Sequence, residues 1–307
     1  MVKILKWLGI SIVALIMLMI GGYAYLVLSF DTKNFPENHG VVEAELFLGD
    51  GENQPLIVGF GGGEGGNAWA SDFWKEQRDE FISRGYAVLA IGYFGAKGTP
   101  QNLDRIALEG VHQAILETAN HPNINGECIA AIGGSKGGEL SLLLASHFPE
   151  IKSVIAIVPG SAVFPALTIA MNTPSFSLNG ELLPFVPVPW SATPALIEGD
   201  LRAVWEEMLK NEEAVERAAI KVENINGPIL FVSATQDEFW PSKEMSDAMM
   251  QRLQTRGFPF YADHLVVEGS HSAPLGSFDD VEIFLETHFL NNERLDCSSH
   301  TGIGITE

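Results

Sequence analysis

Leu8 to Phe30 form 23 consecutive positions without a charge. As a helix rising 1.5 Å per residue, such a run reaches about 34 Å, enough to cross the hydrocarbon core of a bilayer. Lys3 and Lys6 stand ahead of it, and Asp31, Lys33 and Glu37 follow. That balance predicts a cytoplasmic amino end with the bulk of the chain on the other side of the membrane. Residues 1–30 are therefore expected to be an uncleaved signal anchor. The competing reading is a secretory signal cut near Gly22-Tyr23-Ala24, which would release the rest as a secreted or periplasmic protein. The apolar run is long for a signal peptide and continues past that site.

Beyond the polar link Thr32–Gly40, short β-branched runs alternate with longer segments of helical period, the rhythm of a mostly parallel sheet covered by helices on both faces. The spacing predicts strands over Val41–Leu48, Pro55–Phe60, Tyr86–Ile91, Cys128–Ile132, Ser153–Val158, Pro228–Val232 and Phe260–Val267. Helices are predicted over Asn67–Arg84, Leu103–Asn120, Ser135–His147, Ser242–Arg256 and Ser277–Phe289. Residues 31–54 read as a linker with one hairpin, and 55–290 as the principal domain. Within it, about 160–226 break the rhythm with prolines set among Phe164, Phe176, Phe185, Trp190 and Trp205. An excursion of this kind between core strands reads as a lid. Residues 291–307 lack apolar periodicity and are expected to be a loose tail.

Composition narrows the function classes. Against 18 Lys+Arg stand 39 Asp+Glu, a net charge of −21, which repels a phosphate backbone and argues against nucleic-acid partners. Hydrophobic residues make up 46% of the chain, enough to bury a core. Cys128 and Cys297 are too few for a disulfide framework, and no Cys/His cluster has zinc-ligand spacing, so stability is assigned to packing and no metal site is expected.

Chemistry concentrates at Gly133-Gly134-Ser135-Lys136-Gly137, which follows the apolar run Ile129–Ile132 and precedes the helical Glu139–Leu144. Strand, tight turn and helix in that order form the nucleophile elbow of α/β-hydrolases, which exposes a serine hydroxyl on a strained backbone. The bland alternative is a serine that only caps the helix. A serine hydroxyl becomes nucleophilic only when a base takes its proton, and the base needs an acid to hold its tautomer. In this fold the two partners follow as Asp/Glu and then His, each on a loop after a later strand. Asp237 comes directly after Pro228–Val232 and its turn, with Glu238 as the alternative leading into the next helix. Of eight histidines, only His271 occupies the turn after the last predicted strand. His264 falls inside that strand and reads as an ordinary sheet residue, while His112, His147 and His288 belong to helices.

Phe60-Gly61-Gly62-Gly63-Glu64-Gly65-Gly66 contains G-x-G-x-x-G, but the segment Gly85–Leu103 has no Asp or Glu to hold a ribose, which disfavours NAD. No Gly-Lys-Ser/Thr ends the loop, so it is not a P-loop, and no cofactor is expected. Glycine also lets backbone N–H groups approach a developing alkoxide. Gly62 is the expected oxyanion donor, with Gly63 next, and the N–H of Lys136 supplies the second.

These residues resemble a known family, the catalytic domain shared by acyl-CoA thioesterases and bile acid-CoA:amino acid N-acyltransferase. The resemblance covers about Pro55–Leu290. It rests on Phe60-Gly61-Gly62 with Gly65-Gly66, Ala90-Ile91-Gly92-Tyr93-Phe94-Gly95, Gly134-Ser135-Lys136-Gly137-Gly138-Glu139-Leu140 and Asp237-Glu238-Phe239-Trp240-Pro241-Ser242. It implies an α/β-hydrolase fold with Ser135, Asp237 and His271 in the triad positions. The bile-acid transferase carries cysteine as nucleophile, so Ser135 implies hydrolysis of an acyl thioester. The family's β-sandwich domain ahead of the hydrolase is replaced here by the anchor and linker. Coenzyme A is scarce outside the cytoplasm, which leaves a carboxylesterase of the dienelactone-hydrolase-like type, an acyltransferase and a non-catalytic binding protein on the same fold as alternatives.

Overall fold

The computed structural model describes residues 2–295 and 297. Helix α1 (Val2–Ser29) is continuous. Its Lys6–Ser29 stretch has a mean hydropathy of 2.3 and is not buried against the rest of the chain. Length and composition let it cross a bilayer, and a secretory signal passes the same test.

The first half of the domain runs β1 (Glu43–Phe47), β2 (Gln54–Phe60), α2 (Lys75–Ser83), β3 (Ala87–Gly92), β4 (Ile106–Ala107), α3 (Leu108–Ala119), β5 (Ile124–Gly134), α4 (Lys136–His147) and β6 (Ile151–Ile157). The excursion then contributes β7 (Phe176–Leu178), β8 (Glu181–Leu182), α5 (Thr193–Glu198), α6 (Leu201–Leu209) and α7 (Glu212–Ala218). The core resumes with β9 (Ile229–Ala234), α8 (Ser242–Arg256), β10 (Ala262–Val267) and α9 (Phe278–Phe284), which a π turn extends to Leu290.

Seven strands form one sheet in the order β1-β3-β2-β5-β6-β9-β10, and only the β1–β3 pairing is antiparallel. Every residue of β2 and β3 is buried, as a parallel sheet covered on both faces requires. Strand alternation divides them: Leu56, Val58, Phe60 and Leu89 pack on one face, and Ile57, Val88 and Ala90 on the other. A third apolar cluster, including Phe164, Trp205, Met208 and Trp240, holds the excursion on the domain.

Four expectations need correction. The expected hairpin near Val41–Leu48 is not formed: β1 adds to the outer edge of β3, because both edges of β2 are already taken by β3 and β5. The helix expected from Asn67 begins only at Lys75. The segment before it makes two 3-10 turns that lay Trp69 against Gly59, where a Cβ would fall 2.4 Å from the indole. The helix expected from Leu103 begins at Leu108, because Arg105 and Ile106 donate their N–H groups to Pro174 and Ser175 and β4 pairs with β7 in a second, three-stranded sheet. Buried Arg105 also donates to the carbonyls of Asp31 and Asn34, each at 2.8 Å, and so docks the link that leaves α1 onto the domain.

The fourth correction concerns the cysteines and the tail. Cys128 and Cys297 are disulfide-bonded across 169 residues of sequence. Leu295 and Cys297 are both buried, so this part of the expected loose tail is tied to β5, while 296 and 298–307 lie outside the described residues. Two cysteines cannot make a framework, but one bridge closing a long loop removes much denatured-state entropy. Cys297→Ser is expected to cost about 2–4 kcal/mol. That corresponds to a fall of roughly 4–16 °C in Tm. Thermal denaturation with and without reductant checks this; a Tm indifferent to both reductant and substitution would show that the bridge contributes nothing.

Candidate active site

Strand β5 ends at Gly134 and α4 begins at Lys136, so Ser135 alone makes the turn, with φ +54° and ψ −118°. This is a left-sided backbone conformation costing about 1–3 kcal/mol for a residue with a Cβ. The flanking glycines are required by contact: a Cβ on Gly133 would stand 2.2 Å from the carbonyl oxygen of Gly137, and one on Gly137 would stand 2.4 Å from that of Gly61. The elbow, its helix and the glycine loop therefore meet backbone to backbone.

The loops after β9 and β10 bring Asp237 and His271 together. His271 Nδ1 lies 2.8 and 2.9 Å from the two carboxylate oxygens of Asp237. The same carboxylate accepts the backbone N–H groups of Phe239 at 3.0 Å and Trp240 at 3.2 Å. Burial raises the Asp237 carboxyl, but hydrogen bonds from His271 and Ser242 outweigh it and hold the group below its ordinary value of 3.8. Glu238 takes a different part, accepting the backbone N–H of His271 at 2.9 Å and gripping the loop rather than the ring.

His271 and Ser135 line the same two cavities. One, of about 590 Å³, is walled by Phe73, Trp74 and Leu275 together with Asn67, Ser71 and Ser272. The other, of about 530 Å³, is walled by Leu167, Met171, Leu201, Trp205, Phe239 and Trp240, most of them from the excursion. The Ser135 hydroxyl and His271 Nε2 make no hydrogen bond with each other in this structure.

The two expected oxyanion donors are differently placed. A Cβ on Gly62 would lie 3.2 Å from the Cβ of Ser135, so this backbone abuts the serine. The buried Tyr93 hydroxyl donates to the Gly61 carbonyl at 2.8 Å. Because a trans peptide points its N–H opposite to its carbonyl, that bond fixes the direction of the Gly62 N–H. The Gly62 N–H donates to Glu64 Oε1 at 3.0 Å. Gly63 lines the second cavity. Lys136 opens α4, where first-turn N–H groups have no acceptor within the helix. Its side chain turns inward, Nζ lying 2.9 Å from Glu139 Oε2 and 3.0 Å from Ser175 Oγ, with Phe164, Trp205 and Trp240 around it. Burial lowers the Lys136 ammonium against the pull of Glu139, and raises the Glu139 carboxyl. Glu139 also accepts the Phe164 N–H at 3.2 Å, so the buried pair latches the excursion onto the elbow helix.

Residues 106–271, more than half of the 307, match the family described as BAAT / acyl-CoA thioester hydrolase C terminal. The chain belongs to this family. The BAAT/thioester hydrolase match begins at β4 and closes on His271. Acyl-coenzyme A thioesterase 6 of Mus musculus is 30% identical over 228 residues, covering 73% of this chain and 50% of the relative. The chain thus spans about half the length of the curated relatives it matches. Among solved structures, a Mycobacterium tuberculosis puromycin-hydrolyzing peptidase superposes with a TM-score of 0.58 at 16% identity, over 83% of this chain and 39% of that one. An alpha/beta hydrolase from Penicillium sp. sh18 superposes with a TM-score of 0.51 at 13% identity, over 81% and 99%. These structural likenesses carry the α/β-hydrolase fold.

This BAAT/thioester hydrolase member also holds a serine, a histidine and an aspartate in continuous contact elsewhere in the domain. His264 Nε2 is 2.6 Å from Ser233 Oγ, and its Nδ1 is 3.0 Å from Asp247 Oδ1. The expectation of an ordinary sheet residue missed this network, since Asp247 comes from α8 and Ser233 from the neighbouring strand. Ser233 is fully buried and lines neither cavity described above. It lacks the exposed elbow that an acyl group would need to reach it. Sequence reasoning also passed over Glu64 and Tyr93; their signal is the close packing of the two glycine-containing loops, which only the fold reveals.

Proposed function

We propose that this protein is a serine hydrolase of acyl thioesters. Ser135 attacks the acyl carbonyl while His271 Nε2 takes the hydroxyl proton, and Asp237 holds the ring through Nδ1 and stabilises its charged form. The Gly62 and Lys136 N–H groups donate to the developing oxyanion once Glu64 has left the Gly62 N–H. Collapse breaks the bond to sulfur, and the imidazolium returns its proton to the departing thiol. Water then enters and attacks the acyl-serine ester while giving a proton to His271, which passes it to the departing Ser135 oxygen, so that a carboxylic acid is released and the serine hydroxyl restored. The observation that carries this reading is the His271–Asp237 contact at 2.8 Å, which leaves Nε2 as the ring nitrogen available beside the cavities lined by Ser135.

The acyl chain occupies the apolar cavity under Leu167, Met171 and Trp205. Each buried methylene contributes about 0.8 kcal/mol, so kcat/KM is expected to rise about fourfold per methylene from acetyl upward until the cavity is filled. Thioesters of graded chain length, offered to the full chain in detergent with free acid measured as product, test both reaction and cavity. Equal turnover of acetyl and long-chain substrates would remove the acyl-cavity assignment, and absence of acid with every ester, thioester and amide would remove the hydrolase reading.

On the same reading α1 is an uncleaved anchor in the membrane, and residues 55–290 form the catalytic domain on the extracytoplasmic side, with about 160–226 as its lid. The Cys128–Cys297 disulfide supports that side, since such bonds persist in oxidising compartments.

A further inference from the structure

Among the described residues, three line both cavities: Glu64, Ser135 and His271. Two of them are the proposed nucleophile and base. The third is an exposed carboxylate from the glycine loop, seated on the Gly62 N–H at 3.0 Å and in no salt bridge among the described residues. An arriving acyl carbonyl needs that N–H, so Glu64 must swing aside, and its charge stays at the junction from which acyl and leaving groups diverge.

Among the described residues that line the cavities, no unpaired ammonium or guanidinium offsets that charge. Lys136 is the sole Lys or Arg among the residues lining the two cavities, and its ammonium is buried against Glu139 and Ser175. Arg202, next to the lining residue Leu201, is engaged by Glu206 at 2.8 Å and Glu244 at 2.7 Å. Lys75, next to Trp74, is paired with Asp79. Lys97 is exposed on the loop after β3 but lines neither cavity. With the acyl chain in the apolar cavity, the thiol leaves through the one walled by Phe73, Trp74, Leu275, Asn67, Ser71 and Ser272, a surface of aromatic, aliphatic and neutral polar groups.

We propose that Glu64 is a specificity-determining residue which turns this site against polyanionic leaving groups, so that the acyl thioester it hydrolyses carries an uncharged or cationic thiol. Rejection of the wrong partner by like charge is a common source of specificity, and it weakens as salt screens the charges. The proposal rests on the thioester-hydrolase reading above, and its test separates the two. Two thioesters with the same decanoyl chain, one on coenzyme A with its phosphates and one on the neutral N-acetylcysteamine, are offered to the full chain in neutral detergent micelles at low and high salt.

The wild type is expected to favour the neutral thioester at least tenfold in kcat/KM at low salt, with the ratio shrinking as salt rises. Glu64→Gln is expected to cut that ratio about tenfold through KM for the coenzyme A thioester. Lys97→Ala should leave the ratio unchanged. Labelling of Ser135 by a neutral fluorophosphonate shows that each variant is folded. A wild type that favours the coenzyme A thioester, or a ratio that Glu64→Gln does not move, overturns the role of Glu64. Cleavage of neither thioester, with Ser135 unlabelled in the wild type, overturns the hydrolase reading beneath it.

Discussion

Replacing Ser135 by alanine is expected to lower kcat for thioester hydrolysis by about 10⁴–10⁶ and to abolish fluorophosphonate labelling, while the protein keeps its fold. On the proposed mechanism the loss is large because the hydroxyl is the atom that forms the covalent bond, and what remains is the catalysis provided by the oxyanion donors and by binding alone. The fold should survive because the side chain of Ser135 makes no hydrogen bond that organises the elbow. The turn is set by the Ser135 N–H, which donates to the Ile157 carbonyl at 2.8 Å, and by the glycines at 133 and 137. Far-ultraviolet circular dichroism and Tm would show the variant folded. Labelling that persists in Ser135→Ala would transfer the chemistry to another serine and sink the assignment. Ser233 is the obvious control, because its contacts with His264 imitate a triad; the expectation is that Ser233→Ala keeps full labelling.

Asp237→Asn is expected to cost about 10⁴ in kcat with little change in KM. In the proposed mechanism the carboxylate accepts from His271 Nδ1, so that ring nitrogen carries the proton and Nε2 is left to act as base. A carboxamide can turn its NH₂ to the ring and hold it in the opposite tautomer, which blocks Nε2 without disturbing the geometry. Glu238→Gln serves as the contrast. Its oxygen takes only the backbone N–H of His271, so a loss below about tenfold is expected, the order of one modest hydrogen bond. If the two substitutions had equal effects, the orienting role of Asp237 would be lost. Since the folded-state value of Asp237 lies below 3.8, its ionisation contributes stability that is complete above that value and disappears as pH falls through the folded-state one. Acid denaturation of Asp237→Asn should accordingly be less steep below pH 4 than that of the wild type.

Local patterning made much of the framework legible. Helix α8 runs over Ser242–Arg256, the span its periodicity predicts, because both ends carry local signals: a proline before the first turn and Gly257 after the last. β2, β6 and β9 lie within a residue or two of their apolar runs for the same reason. Where neighbours in space outweigh neighbours in sequence, the pattern misleads. Asn67–Trp74 has helical spacing, yet Trp69 leaves the helical path to cover Gly59 and stack on Trp74. Leu103–Ala107 looks like the start of a helix, but the strand from the excursion captures its N–H groups. The two cysteines could not be paired from composition, since a single bridge across 169 residues leaves no spacing signature.

At the candidate site the division follows the same rule. Residue order, the glycines around Ser135 and the turns after the last two strands determined which side chains were worth comparing, because a parallel sheet delivers the carboxyl ends of its strands to one edge whatever the intervening loops do. Only the tertiary structure decided that Asp237 rather than Glu238 faces the His271 ring, that the excursion supplies one wall of an apolar cavity, and that Glu64 rests on the Gly62 N–H. Those are contacts between segments far apart in the chain or between a side chain and a backbone whose direction is set by Tyr93. Their energies depend on distances of a few tenths of an ångström, which periodicity and composition do not encode.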